Sequence, residues 1–121
     1  MSIVKDMSLA PSGHQKIQWV RDFMPALSGI EERFRREKPF QGLTIAVSVH
    51  LEAKTANLGY VLAKGGAEVH LTGSNPLSTQ DDVAAGLADL GVETFGVHGV
   101  SAEEYERLLI ETIKFKPHLI V

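Results

Sequence analysis

The apolar positions along this chain follow two different periods. Near the start, Ile17, Val20 and Phe23 recur at three- and four-residue spacing, with Trp19 beside Val20. That spacing predicts an amphipathic helix from Ala10 to about Asp22. Ser8 is a candidate cap, and Pro11 fits the first turn, where a missing N–H costs nothing. Met24-Pro25 marks a bend, because the residue before a proline resists the α region. A second helix is expected from Pro25 to about Lys38. Leu27, Ile30 and Phe34 form its expected buried face, and Glu31, Glu32, Arg33, Arg35 and Arg36 a solvated one.

From Leu43 the pattern shortens. Thr44-Ile45-Ala46-Val47-Ser48-Val49 is β-branched and brief, as a buried strand should be. Leu58, Val61 and Leu62 then mark a helix over Lys54 to Lys64, stopped by Gly65-Gly66. Glu68-Val69-His70-Leu71 reads as a strand, Asp81 to Leu90 as a helix, and Val92-Glu93-Thr94-Phe95 as a strand. Ser101 and Glu104 form a capping-box pattern ahead of a helix to about Lys114, with Tyr105, Leu108, Leu109 and Ile113 on its apolar side. Leu119-Ile120-Val121 is a last strand. Two helices followed by β-α-β-α-β-α-β predict an α/β fold, a doubly wound parallel sheet with right-handed crossovers.

Composition narrows the function classes. A chain of 121 residues is one domain of ordinary size. The net charge of −3 gives no electrostatic case for a nucleic-acid or anionic-membrane surface. Without cysteine there is no disulfide framework and no thiolate metal site. No apolar run is long enough to span a membrane, and Met1 to Asp6 lacks a signal-peptide pattern, so a cytoplasmic location is the default. The run Phe115 to Val121 stops inside an apolar strand, whereas natural termini usually fray in polar residues. The expectation is a truncated polypeptide or a split gene; a short edge strand closing the domain is the plainer alternative.

Two polar segments stand where chemistry would sit. His50-Leu51-Glu52-Ala53-Lys54-Thr55 follows the first long strand, and Gly73 to Asp82 follows the next. Both fall at the carboxyl edge, where open α/β sheets bind ligands. The first crossover has no glycine, so it lacks a dinucleotide fingerprint, and side chains must recognise the ligand. His50 is the one histidine at a strand end among polar neighbours, a candidate catalytic residue where a lone histidine is more often structural. His14, His70, His98 and His118 read as structural or solvated, and their spacings form no metal-ligand set. Plain helix capping accounts for Glu52 and for Ser78-Thr79-Gln80-Asp81 taken singly. Their pairing on adjacent loops favours a ligand site.

At these residues the chain closely resembles the adenosylhomocysteine hydrolase family. The resemblance also covers Lys16-Ile17-Gln18-Trp19, Met24-Pro25-Ala26-Leu27, Glu37 to Gly42, Gly65 to Val69 and Glu103-Glu104-Tyr105, and so runs the whole chain. It implies a longer, usually tetrameric enzyme with a Rossmann NAD domain, of which residues 1–121 would be the N-terminal portion of the substrate-binding domain. The family reaction is reversible cleavage of S-adenosylhomocysteine to adenosine and homocysteine. NAD oxidises the ribose 3′-hydroxyl, the thiolate leaves from C5′, water adds, and the ketone is reduced again. By resemblance His50 is the acid–base histidine near the 5′ position. Glu52 and Lys54 face the purine, and Thr55, Ser74, Asn75, Ser78, Thr79, Gln80 and Asp81 line the nucleoside and homocysteine pocket. The NAD site would lie outside this chain, so no turnover is expected from it alone.

Two departures sharpen the resemblance. Many members carry threonine at the Glu52 position and glutamate at the Lys54 position. A carboxylate accepts from the amine of adenine; an ammonium only donates, and suits the carbonyl of hypoxanthine. Similar substitutions occur in archaeal and thermophilic relatives, some of which use S-inosylhomocysteine. In the alternative arrangement Glu52 takes the amine and Lys54 pairs with Glu52. Ser74 stands where several members have cysteine, which removes a thiol from this loop. Two other functions compete: a non-catalytic nucleoside-binding or assembly module, and a flavodoxin-like regulatory domain. The last needs acidic residues at the first strand's end, where His50 stands.

Overall fold

The computed structural model describes residues 1–121. Its elements are β1 (Ile3–Val4), a 3-10 turn (Met7–Leu9), α1 (Ala10–Asp22), α2 (Pro25–Glu37), β2 (Thr44–Ser48), α3 (Ala53–Lys64), β3 (Glu68–Thr72), α4 (Asp81–Asp89), β4 (Glu93–Gly96), α5 (Ala102–Ile113) and β5 (Leu119–Ile120). The five strands form one parallel sheet in the order β1-β4-β3-β2-β5. The crossovers from β2 through β3 to β4 step in one direction, and the connection from β4 to β5 returns past β2. Right-handedness then places α3 and α4 on one face and α5 on the other. The sheet is doubly wound, as the sequence predicts.

β1 was not expected. It is two residues long, too short for any period, and pairs with β4 through Ile3 opposite Phe95 and Val4 opposite Gly96. Ser2 fixes it by accepting a hydrogen bond from Thr94 N–H at 2.9 Å. Leu119 and Ile120 do form a strand, on the far edge beside β2, and both remain half or more exposed. No helix is long and apolar enough to cross a membrane.

The core lies between β2 and β3 and the helical layer of α1, α3 and α4, with Ile17, Val47, Leu71, Val83 and Leu87 at its centre. The α1–α4 contact is unusually close. A Cβ on Gly86 would lie 2.9 Å from the backbone of Gly13, so only glycine on both sides allows it. Ser8 does not cap α1. Asp6 caps the preceding 3-10 turn through Ser8 N–H at 2.8 Å, and the turn runs straight into α1 with Pro11 in its first turn. Gly66, at φ +95°, supplies the left-handed residue after α3. Ser101 caps α5 through Glu104 N–H, but the Glu104 side chain turns to Arg107, so the box closes on one side only. On α5 the buried pair is Leu108 and Thr112, and Ile113 is exposed.

The charged face of α2 is the main correction. Glu31 is only 6% exposed, and Ile30, expected inside, is 43% exposed. Glu31 accepts two hydrogen bonds from the Arg21 guanidinium of α1, at 2.7 and 2.9 Å, while Arg35 lies 3.5 Å away. Arg21 also donates to Asn57 of α3 at 3.2 Å and lies over the Tyr60 ring. The stripe that faces α1 and α3 therefore runs through Leu27, Glu31 and Phe34, and a buried ion pair replaces an apolar contact. Hydrogen bonds from Arg21, against the opposing effect of burial, hold the Glu31 carboxyl below its ordinary pKa.

Candidate functional site

The site grows from the end of β2. The loop Val49 to Glu52 leans across the carboxyl ends of β3 and β4, and Leu51 is its wedge, fully buried. A Cβ on Gly96 would lie 2.5 Å from Leu51 Cδ2, and one on Gly73 would lie 2.6 Å from Thr79 Oγ1. These two glycines make room for the wedge. Backbone bonds then join the two polar segments: Ser74 N–H donates to Val49 O at 3.1 Å, and Gln80 N–H donates to Leu51 O at 3.0 Å. The segments expected to share a rim are one hydrogen-bonded unit.

His50 is exposed at the rim, with its Nδ1 2.7 Å from Ser78 Oγ and 3.4 Å from Ser74 Oγ. Glu52 is the N-cap of α3, accepting from Thr55 N–H at 3.0 Å, and Thr55 itself is buried. Lys54 is exposed on the first turn of α3 and makes no hydrogen bond or ion pair. The Glu52–Lys54 pair of the alternative arrangement does not form. Asn75 folds its own loop: its side chain accepts from Leu77 N–H at 2.8 Å, and its carbonyl accepts from the hydroxyls of Ser78 and Thr79. Thr79 is buried, and its carbonyl meets His98 Nδ1 at 2.9 Å. Asp81 accepts from His98 N–H at 2.8 Å and lies 3.5 Å from Lys5. Thr79, Asp81 and Asn75 thus build the loop rather than face outward.

A shallow cleft of about 430 Å³ opens beside this rim. Glu52, Ala53, Lys54 and Gln80 form one side; Gln15, Lys16, Trp19 and Val20 of α1 form the other. His50 does not line it. Lys16 bridges the two sides, pairing with Asp82 at 2.8 Å and donating to Gln80 Oε1 at 3.3 Å. The Gln80 amide N–H₂ has no protein partner at the cleft wall. Asp82 also accepts from Ser12 at 2.7 Å. Burial pushes its carboxyl up, but the hydrogen bonds from Lys16 and Ser12 outweigh that and leave it below the ordinary carboxylate value. Trp19 is 63% exposed and stacks on Phe23, ring centroids 4.7 Å apart.

Sequence reasoning did not place Lys16 or Trp19 in a site. The signal was present: Ser12, Lys16, Trp19 and Phe23 recur at four-, three- and four-residue spacing, a second line along α1 distinct from Gly13, Ile17 and Val20. Leu51 and Thr79 occupy the room that Gly96 and Gly73 leave over the ends of β4 and β3. No three histidine, aspartate or glutamate side chains converge as a metal site.

The model of the S-adenosyl-L-homocysteine hydrolase family matches residues 1–121. The chain belongs to this family. It is 51% identical over 121 residues to an S-inosyl-L-homocysteine hydrolase of Methanococcus maripaludis, covering all of this chain and 29% of that protein. It is 48% identical over 118 residues to the S-inosyl-L-homocysteine hydrolase of Methanocaldococcus jannaschii, covering 98% of this chain and 28% of that protein. With the adenosylhomocysteinase of Pyrococcus abyssi the identity is 49% over 118 residues, again 98% of this chain and 28% of that protein. The chain spans less than a third of the length of these curated relatives. Overall identity does not separate the two substrates, so the choice must rest on individual residues.

Proposed function

We propose that this chain is the N-terminal part of the substrate-binding domain of an NAD-dependent hydrolase that cleaves a purine-nucleoside thioether, with S-inosylhomocysteine as its preferred substrate. The net reaction breaks the C5′–S bond, forms a C5′–O bond from water, and returns a proton to sulfur. In this reading His50 moves the proton at the 5′ position. Gln80 offers N–H donors from the cleft wall, and Thr55, Ser74, Asn75, Ser78, Thr79 and Asp81 shape the rim.

The free Lys54 ammonium at the cleft carries the choice of base. Glu52 commits Oε1 to Thr55 N–H and keeps Oε2 as an acceptor at the cleft, so the choice of base turns on which of Glu52 and Lys54 meets the 6-position. Lys54 has no protein partner and can only donate, which matches the 6-oxo group of hypoxanthine and mismatches an amine. The hydride-accepting cofactor has no cradle among these residues, and we assign it to the remainder of a longer polypeptide. A tetramer and a cytoplasmic setting, implied by the resemblance, belong to the same proposal.

Steady-state kinetics of the full-length enzyme test the base. The expected kcat/KM favours S-inosylhomocysteine by about tenfold, the scale of one hydrogen bond made in an open, water-accessible cleft. Equal values, or a preference for the adenosyl substrate, would reject the reading. The 121-residue chain with added NAD should show no cleavage, and any turnover would refute its role as a part.

A further inference from the structure

The hydroxyl of Ser78 has one hydrogen and two neighbours that could use it. One is the carbonyl of Asn75, 3.1 Å away, three residues back along the same turn. The other is His50 Nδ1, 2.7 Å away. A carbonyl oxygen can only accept, and a serine hydroxyl commonly bonds the carbonyl three residues back in such turns. With its hydrogen on Asn75, Ser78 Oγ faces His50 as an acceptor. The imidazole nitrogen at that contact must then carry a proton. Ser74 Oγ, 3.4 Å from the same nitrogen, can accept as well. No carboxylate or carbonyl reaches either ring nitrogen of His50.

We propose that Ser78 holds His50 as its Nδ1–H tautomer, leaving Nε2 as an unprotonated lone pair on the exposed side of the rim. Ser78 is then a positioning residue: it fixes which nitrogen can take a proton, as the orienting partner of a catalytic histidine does. The consequence for turnover rests on the role of His50 given under the proposed function. The tautomer itself does not.

Nitrogen-15 NMR of the imidazole in the wild-type 121-residue chain, recorded across a pH series, reads the tautomer of the neutral ring directly. A protonated Nδ1 and a bare Nε2 are expected. A protonated Nε2, or an even mixture, would overturn the proposal without any variant having to fold. In full-length enzyme, S78A should lower kcat about tenfold with KM nearly unchanged, while S78T, which keeps the hydroxyl, restores most of it. An unchanged kcat in S78A would refute the positioning role. Full activity in His50→Gln would instead reject the proton-transfer role of His50 and leave the tautomer standing.

Discussion

Replacing Glu31 by glutamine tests whether α1 is held by a buried ion pair. The carboxylate is 6% exposed and takes two short hydrogen bonds from Arg21, which reaches on to Asn57, itself 1% exposed. Glutamine keeps the shape but turns one acceptor into an N–H₂ that meets a guanidinium. Two arginines then face each other with no counter-charge. Removing one partner of a buried pair costs about 3 kcal/mol or more. That is a large share of the roughly 5–15 kcal/mol that holds a domain together, and it should lower Tm by about 10 °C. Urea unfolding, followed by the fluorescence of Trp19, should show a lower midpoint with an unchanged slope. The double variant R21M/E31M should cost less than the sum of R21M and E31M, since it leaves no stranded charge. A loss below about 0.5 kcal/mol in E31Q, the scale of a surface pair, would refute the argument. Acid supplies a second check. Glu31 has a lowered folded pKa, held down by its hydrogen bonds to Arg21, so its contribution is complete above the ordinary glutamate range and fades as pH falls through the folded value. Below about pH 5, E31Q should therefore lose stability with acid less steeply than wild type.

Other variants probe the packing and the cleft. Gly13→Ala should destabilise by about 3 kcal/mol in urea melts, because its Cβ would run into the Asp82 carbonyl and the Gly86 backbone; a neutral result would mean α1 can slide on α4. Trp19→Ala should cost under about 1 kcal/mol, since the ring is 63% exposed. Inosine added to the 121-residue chain should quench the fluorescence of Trp19, its only tryptophan, and an unaltered spectrum at saturating nucleoside in the same chain would remove Trp19 from the binding wall. Lys16→Met should weaken nucleoside binding about threefold to tenfold by freeing the Gln80 amide, measured by calorimetry on full-length protein.

The sequence made the repeating βα units legible because their apolar residues keep a clean period and their glycines mark the stops. It made the rim legible too, since strand ends are where side chains leave the sheet. What it could not show depends on contacts far apart in sequence. β1 owes its existence to β4, ninety residues on, and has no pattern of its own. Glu31 looks like any solvated helix glutamate until Arg21 and Asn57 surround it. On α1, the inward line of Gly13, Ile17 and Val20 drew attention from the second line, Lys16 and Trp19, which only gains meaning once α4 and the rim lie beside it. Periodicity reports how much of a helix is covered, not by what.

The position of the site follows from the strand order. At β2 the winding reverses, with β3 on one side and β5 on the other, and such a reversal opens a crevice above the carboxyl ends. In the dinucleotide folds glycine-lined backbone fills that crevice and holds phosphate. Here Leu51 lies over the ends of β3 and β4, seated against Gly73 and Gly96. The loop bearing His50 is tied to the loop bearing Ser78, and the open cleft lies outward, between α1 and the first turn of α3. In the proposed reading a ligand in that cleft is met by side chains, an ammonium, an amide and an indole, with the His50 imidazole on the neighbouring rim. These N–H donors match a carbonyl-bearing heterocycle, and the proposed choice of base rests on them.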